Sequence, residues 1–331
     1  MRVLLKRGIA VSLLMILILT IYTIWDNNRV TVAEQEIFIE NLPEGLEGYT
    51  ILQVTDLHEK VFGKNQEKLI NIINSIHYDT IVLTGDMMES PQSTNYQPYY
   101  SLIEGIQNKQ NALFVPGNAD PAVYKLRNHH YEKNNYIIGM EKRGVKLLES
   151  IHTVKKNDSI IHFVNFELSI KKNSRRKENK YSSPYAYENS ENVNVEKQKQ
   201  LMQEIKVVNH TKGIIIALNH YPVPDQRIDY LKKDKQTVFR DYDLLIGGHY
   251  HGGQIRLPFF GALYVPEPLF QRKGLFPPQD RVKGLWEHRG IEQYVSTGLG
   301  SSNAITFLNF RFFNPPEINV LTLKRKNKNW K

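Results

Sequence analysis

The chain has 331 residues, which is enough for one large domain or two ordinary ones with a packed core. It contains no cysteine, and this excludes disulfide bonds and thiolate metal sites. A formal net charge of +9 suits anionic partners, such as a phosphorylated substrate, an anionic membrane lipid or a teichoic-type wall polymer.

The N-terminal segment predicts a membrane span. Residues 8–25 carry no charged side chain and would extend about 27 Å as a helix, close to the thickness of the hydrocarbon core. Residues 1–7 form a basic flank containing Arg2, Lys6 and Arg7, so the positive-inside rule leaves the N-terminus in the cytoplasm and exports the rest. Because no small-residue cleavage site follows the apolar run, we expect an uncleaved, single-pass signal anchor in the cell membrane. A cleaved signal peptide is the alternative.

The segment after the anchor leads into an α/β domain. Residues 26–48 contain the alternating stretch Glu36–Glu40 and predict an edge strand that links the anchor to a domain over residues 49–323. Helices are predicted over Asn65–Tyr78, Val195–Val208 and Ile228–Val238.

Metal-binding residue types follow five predicted strands. Asp56 and His58 follow Tyr49–Thr55, Asp86 follows Thr80–Thr84, Asn118 follows Ala112–Val115, His220 follows Gly213–Ala217, and His249 and His251 follow Leu244–Ile246. Loops at the carboxyl ends of strands in a layered α/β sheet share one crevice. A single Asp after a strand is ordinarily a helix N-cap, but this whole set predicts one extracytoplasmic metal site.

These residues resemble the motifs of the calcineurin-like metallophosphoesterases, which run Asp-x-His, Gly-Asp, Gly-Asn-His-Asp/Glu, a lone His, and Gly-His-x-His. The resemblance extends from about Ile51 to Leu323, and it implies a four-layer αββα sandwich. The segments Gly248–Gln254, Ser296–Gly300 and Asn314–Ile318 resemble the membrane-associated or exported bacterial branch. One position departs from the pattern, because Ala119 stands where the family has histidine.

The resemblance also implies the ligands of two divalent cations, with Asp86 bridging them. One cation would take Asp56, His58, Asp86 and His251, and the other would take Asp86, Asn118, His220 and His249. Nitrogen and oxygen ligands without thiolate suit Mn²⁺, Fe or Zn²⁺ better than Ca²⁺, and Mn²⁺ is the expected metal. Asp86, Asn118 and His220 are the expected catalytic residues.

The implied reaction is hydrolysis of a phosphodiester or pyrophosphate bond by a hydroxide held between the two cations. The expected substrate is lipid-linked or belongs to the cell envelope, although its identity lies beyond the sequence. Two alternatives stay open: a phosphomonoesterase, including a protein phosphatase, and a catalytically silent module that binds phosphorylated envelope polymers. The complete ligand set argues against a catalytically silent module, whereas Ala119 argues modestly for one.

Two segments of the chain are strongly basic. Residues 171–200 predict a basic and polar insertion. It is a solvated loop, a cap over the metals, or a basic segment that contacts anionic lipid headgroups. Nucleic acid is not an expected partner, because tyrosines outside a recognised module are weak evidence for it. Residues 324–331 predict a solvated basic tail.

Overall fold

Two β-sheets form the centre of the structure, a computed structural model that describes residues 1–170, 191–208, 213–234, 239–266, 274–303 and 309–326. The helices are α1 (Arg2–Asn28), α2 (Glu67–Ser75), α3 (Gln97–Gly105), α4 (Asn135–Lys142), α5 (Phe166–Ile170), α6 (Glu191–Val208) and α7 (Asp225–Lys233). The strands are β1 (Thr31–Ile39), β2 (Thr50–Val54), β3 (Thr80–Leu83), β4 (Ala112–Phe114), β5 (Tyr124–Arg127), β6 (His130–Lys133), β7 (Lys146–Leu147), β8 (His152–Lys156), β9 (Ser159–Asn165), β10 (Gly213–Leu218), β11 (Leu244–Gly247), β12 (Arg256–Leu257), β13 (Gly261–Ala262), β14 (Gly284–His288), β15 (Ile291–Val295) and β16 (Glu317–Arg325).

Each sheet has six strands and a parallel centre. The first sheet has the order β1-β16-β2-β3-β4-β7, in which β2, β3 and β4 run parallel. The second has the order β14-β15-β11-β10-β9-β8, in which β9, β10, β11 and β15 run parallel. The central strands are continuous apolar runs because both faces of each sheet are covered.

Strand alternation sends neighbouring residues into different cores. Ile51 of β2 packs between the two sheets, together with Val82 and Ile216, whereas Leu52 faces the outer side of the first sheet. Helices α2, α3 and α4 cover that outer side, and α5, α6 and α7 cover the outer side of the second sheet. The predicted four-layer αββα sandwich is therefore confirmed.

The three predicted helices are present with shifted ends. A 3₁₀ turn at Lys64–Gln66 precedes α2, and α7 begins at Asp225, three residues before the predicted start. Of the predicted insertion, residues 171–190 lie outside the described residues, and residues 191–200 form the first part of α6.

The prediction places the start of the basic tail, at residue 324, too early in the chain. Lys324 and Arg325 belong to β16, where they pair with Phe38 and Ile39 at the end of β1. Residues 327–331 lie outside the described part of the chain. This boundary could not be predicted from the sequence, because the pairing joins segments almost 300 residues apart and does not affect the local composition.

Helix α1 has the length and composition of a membrane span or a signal sequence. Its apolar window has a mean hydropathy of 2.3 and is not buried against the rest of the protein. Its last turn differs, because Asp26 is buried and bonded to Arg29, and the Asn27 side chain bonds to both backbone groups of Arg311. The Tyr22 ring also lies 5.0 Å from the Phe313 ring. The end of the helix therefore packs on the α/β domain.

Candidate metal centre

The structure brings strand ends from both sheets to one place. Loops after β2, β3 and β4 carry Asp56, His58, Asp86 and Asn118, and loops after β10 and β11 carry His220, His249 and His251. Six of these seven residues form two compact groups, Asp56 with His58 and His251, and Asp86 with His220 and His249. Within each group the ligand atoms lie within 4.8 Å of one another. Asn118 is exposed and lines the cavity that the other residues face.

Asp86 lies between the two groups. Its Oδ2 atom is 3.2 Å from His220 Nε2 and 3.5 Å from His58 Nε2. Its other oxygen, Oδ1, accepts a hydrogen bond of 2.7 Å from the backbone N–H of Ala119. One oxygen is therefore used to hold the side chain, and the other faces histidines of both groups.

Backbone carbonyls set the tautomers of two histidines. His220 Nδ1 lies 2.8 Å from the carbonyl of Thr84, and His249 Nε2 lies 3.0 Å from the carbonyl of Pro266. Because a carbonyl can only accept, these two ring nitrogens carry the protons. The opposite nitrogens, His220 Nε2 and His249 Nδ1, lie 3.1 Å apart beside Asp86. Such outer hydrogen bonds orient metal-ligating histidines in known sites.

Burial and mutual charge shift the pKa values of this group in opposite directions. Burial opposes protonation of His220, but the carboxylate of Asp86 outweighs it and raises the His220 pKa to about 9. Burial acts to raise the pKa of Asp86, yet His220 and His58 lower it well below the ordinary carboxyl value. Burial and the charge of His220 lower the pKa of His249 to about 3. A proton on His220 Nε2 thus compensates the buried carboxylate, and a cation could replace that proton.

The other group also has the properties of a cation site. Burial raises the pKa of Asp56 to about 7, and burial lowers the pKa values of His58 and His251, which leaves both imidazoles neutral. Within the described residues, both ring nitrogens of His58 and Nδ1 of His251 are buried without a hydrogen-bond partner. Buried polar atoms are nearly always paired, so unpaired imidazole nitrogens beside a carboxylate fit a divalent cation.

The backbone at these ligands is strained. Asp56, His58, Asp86, His249 and His251 have φ values of 53°, 46°, 53°, 67° and 49°, all in the left-handed region. Residues with side chains rarely adopt this region, and they keep it where the surrounding structure imposes it, often at functional sites.

Two glycines allow the loops to approach each other. A Cβ atom at Gly248 would collide with the side chains of Asp56 and Thr55, and a Cβ atom at Gly117 would collide with the Asp86 carboxylate. Thr55 in turn donates a hydrogen bond of 2.8 Å to Asp56 Oδ2. Close packing of the loops therefore requires glycine at these two positions.

Asp120 organises the loops behind the ligands. Its carboxylate accepts hydrogen bonds from the backbone N–H groups of Asp86, Met87 and Gly117 and from the hydroxyl of Tyr136. Burial raises the pKa of Asp120 to about 6, and the charge of Asp86 adds to the shift. Because donors occupy both of its oxygens, Asp120 supports the loops. The only sequence signal for this role is its place in the motif loop.

Arg311 is a second supporting residue, and the sequence alone carries no signal for it. Its buried guanidinium donates to the carbonyls of Thr297, Gly298, Gly300 and His251. Since its backbone is held by the last turn of α1, this residue joins the apolar helix to the loops of the metal centre.

His58 lines two separate cavities. One has a volume of about 540 Å³ and is lined by His58, Asp86, Asn118, Ala119, His249 and His251, with Glu89 and Tyr221 at its wall. The other has a volume of about 380 Å³ and is lined by Thr23, Ile24, Asn27 and Asn28 of α1, with His58, Lys60 and Phe310. The end of the apolar helix therefore forms one wall of a space that adjoins the metal centre.

Known proteins are similar to this chain over most of its length. The metallophosphoesterase YkuE of Bacillus subtilis (strain 168) is 25% identical over 313 residues, which cover 91% of this chain and 87% of that protein. The UDP-2,3-diacylglucosamine pyrophosphatase LpxG of Chlamydia muridarum (strain MoPn / Nigg) is 24% identical and covers 83% of this chain and 84% of its own length. The solved structure of phosphopantetheinyl hydrolase from Mycobacterium tuberculosis aligns with a TM-score of 0.39 and 12% identity, over 77% of this chain and 91% of that one.

The family model for calcineurin-like phosphoesterases matches residues 49–253, which is more than half of the chain and includes both groups of ligands. This match agrees with two buried clusters of carboxylates and imidazoles at the carboxyl ends of parallel strands. The chain therefore belongs to the calcineurin-like phosphoesterase family and is a metal-dependent phosphoesterase.

Proposed function

We propose that this protein is a membrane-anchored phosphohydrolase that cleaves a phosphodiester or pyrophosphate bond in a lipid-linked or envelope substrate outside the cytoplasm. Helix α1 would be an uncleaved signal anchor, with the basic residues 1–7 in the cytoplasm. The α/β domain would then lie at the outer surface of the membrane.

Asp56, His58, Asp86 and His251 would hold one divalent cation, and Asp86, Asn118, His220 and His249 would hold the other, Mn²⁺ being the metal we expect. When bound, such cations activate water and neutralise charge on the phosphoryl oxygens. The protein supplies the orientation: Thr84 and Pro266 hold two imidazoles, and the Ala119 N–H holds Asp86.

The lipid-linked part of the proposal is carried by the cavity at the end of α1. An anchored enzyme that acts on a soluble substrate does not need its anchor at the reaction centre. Here the last turn of α1 lines a cavity that shares His58 with the cavity of the metal ligands. An amphiphilic substrate that stays in the bilayer could reach the metal centre along this wall. The name of LpxG, a pyrophosphatase of a diacylated sugar nucleotide, supports the same substrate class.

The bond type is inferred from Ala119. This methyl group lines the cavity at the position where the family motif has histidine, and it cannot protonate a departing oxygen. General-acid help is typically worth about 10²–10⁴-fold in rate, and its loss matters most for strongly basic leaving groups such as alkoxides. A phosphate or phenolate leaving group needs little help. Pyrophosphate bonds, and diesters with a good leaving group, are therefore the preferred substrates.

A leaving-group series on the full-length protein in detergent micelles with Mn²⁺ tests this proposal. We expect rates on diesters and pyrophosphates to fall steeply as the leaving group becomes more basic, and Ala119→His to flatten the dependence. Ser90→His, which adds an imidazole elsewhere in the same cavity, is the matched control and should leave the dependence steep. Equal rates on alkyl and aryl esters, with chemistry rate-limiting, would contradict the proposal, as would a preference for monoesters.

A further inference from the structure

A set of large apolar side chains is exposed on one side of the metal centre. Phe259 is fully exposed and Phe260 is 75% exposed, and Leu257, Leu275 and Phe276 have 37%, 51% and 65% of their surfaces accessible. Contiguous exposed apolar surface is unusual in a soluble domain and marks an interaction site when polar residues surround it.

Backbone pairing makes these side chains one surface. Strands β12 and β13 form an antiparallel hairpin with Phe259 and Phe260 in its turn. Residues 274–276 run beside the segment that follows, since Val265 N–H bonds to Gly274 and Phe276 N–H bonds to Leu263. We call residues 255–265 and 274–276 the apolar ribbon.

Two phenylalanines of the apolar ribbon have backbone conformations that favour other residue types. Phe259 has a φ of 69° and Phe276 a φ of 50°, both in the left-handed region. Glycine and asparagine suit such turn positions, whereas bulky residues there are uncommon. Because Phe259 is fully exposed and most of the surface of Phe276 is accessible, packing within the protein does not explain these conformations.

The apolar ribbon is continuous with the place where α1 leaves the domain. Arg256 N–H bonds to Phe312 and Phe312 N–H bonds to Gln254, with N···O distances of 3.0 and 3.1 Å. The neighbouring Phe313 ring then contacts Tyr22 of α1 at 5.0 Å. A membrane that contains α1 therefore has its surface close to the base of the ribbon.

The charge of this segment suits an anionic membrane surface. In the sequence, residues 254–284 contain more basic than acidic side chains: Arg256, Arg272, Lys273, Arg281 and Lys283 against Glu267 and Asp280. Of these, Glu267, Arg272 and Lys273 lie outside the described residues, and Arg281 forms ion pairs with Asp225 and Asp280. Each basic residue near an anionic leaflet adds to the attraction, and aromatic residues favour the interface between headgroups and acyl chains.

We propose that the apolar ribbon inserts into the outer interface of the bilayer that α1 spans and holds the metal centre against the membrane. This inference rests on the proposed membrane placement of α1. Two attachment points fix the orientation of the domain relative to the bilayer, whereas α1 alone would leave the helix and the domain packed on its last turn free to tilt together.

Site-specific labelling tests the proposal, because the chain has no cysteine and each label position is unique. Full-length protein carrying Phe259→Cys, Ile16→Cys or Asp158→Cys would be labelled with an environment-sensitive fluorophore and reconstituted into phosphatidylglycerol/phosphatidylethanolamine vesicles. Asp158 is the control, since it is exposed in the turn before β9, at the amino ends of the strands. We expect a blue shift at Phe259 and strong quenching by lipid that carries a doxyl group near its headgroup. Asp158 should show neither effect.

The outcomes separate the two proposals. For Ile16, which lies in the middle of the apolar run, the quencher is lipid that carries its doxyl group deep in the acyl chain. Quenching of Ile16 by the deep doxyl group without quenching of Phe259 by the shallow one would overturn the ribbon proposal alone. No quenching of Ile16 by the deep doxyl group would overturn the anchor and the ribbon proposal with it. A blue shift at Phe259 without lipid quenching would indicate a second protein copy as the occupant and also counts against insertion.

A second set of variants tests whether the aromatic residues cause the insertion. In the labelled Phe276→Cys protein, the pair Phe259→Ser and Phe260→Ser should abolish lipid quenching. Leu126→Ser, which removes an exposed apolar side chain from another hairpin, should leave the quenching unchanged. Persistent quenching in the double variant would contradict the proposal.

Discussion

At the scale of single residues, Asp86 contacts both groups of candidate metal ligands. One carboxylate oxygen faces His220 and His58, and the other is held by the N–H of Ala119. Because Asp86 faces both groups, we expect a neutral amide at this position to weaken metal binding at both. The strained backbone at these ligands shows that the fold maintains conformations that no local preference would select.

We predict that Asp86→Asn abolishes turnover and lowers the affinity for divalent metal. The loss of affinity should exceed the roughly 100-fold that removal of a residue supporting a metal ligand can cost. Metal analysis after dialysis, steady-state kinetics and far-ultraviolet circular dichroism would measure these effects. Asp79→Asn is the matched control, because Asp79 precedes the amino end of β3 and pairs there with Lys156. Two full equivalents of metal and unchanged activity in Asp86→Asn would disprove the site.

At the scale of elements, β14 and β15 bring two like charges together. Glu287 and Glu292 are directly opposite in this antiparallel pair. Burial raises the pKa of Glu292 to about 7, with Lys326 opposing the shift and Glu287 adding to it. In the described structure, Glu292 Oε2 is buried without a hydrogen-bond partner. Like charges across a strand pair destabilise it, so ionised Glu292 weakens this edge of the second sheet.

We predict that Glu292→Gln stabilises the protein at alkaline pH. The folded-state pKa lies above the ordinary value of 4.5, so the native state of the parent is favoured while Glu292 is protonated and loses this stability as pH rises through about 7. The increase in the free energy of unfolding caused by Glu292→Gln should be near zero at about pH 4 and about 1 kcal/mol above pH 7, allowing for partial solvent exposure. Urea unfolding in micelles at both pH values would measure it. Glu34→Gln, in exposed β1 sequence, should show no such pH dependence.

At the scale of the whole molecule, α1 is both an apolar helix and a structural part of the domain. Asn27 bonds to the backbone of Arg311, and Arg311 bonds to carbonyls around the candidate metal ligands. Cleavage after α1 would break this connection. The contact therefore favours an uncleaved anchor over a signal peptide that is removed.

We predict that the protein stays in the membrane fraction after high-salt and alkaline carbonate washes, and that protease added outside intact protoplasts digests the domain. Immunoblotting with antibodies to the domain and to an N-terminal tag would follow both ends. The tag should survive inside. A soluble product that starts near Asn27 would show that the segment is cleaved, and protection of the domain would show the opposite topology.

Several properties could be predicted from the sequence because local segments carry them. An apolar run that stops at a polar residue identifies a strand end, and parallel strands place their carboxyl ends together. Asp56, Asp86 and His220 could therefore be assigned to one site without coordinates. The departure at Ala119 and the apolar character of α1 are likewise read directly from the residues.

Only the tertiary structure decided how distant segments meet. The pairing of β16 with β1, the bond from Asp120 to the loop that carries Asp86, and the bond from Asn27 to Arg311 join parts of the chain that are remote in sequence. Exposure is decided in the same way, since Phe259 resembles any core aromatic residue until its neighbours are known. Composition and periodicity describe each segment alone, whereas contact and burial depend on the segments that pack around it.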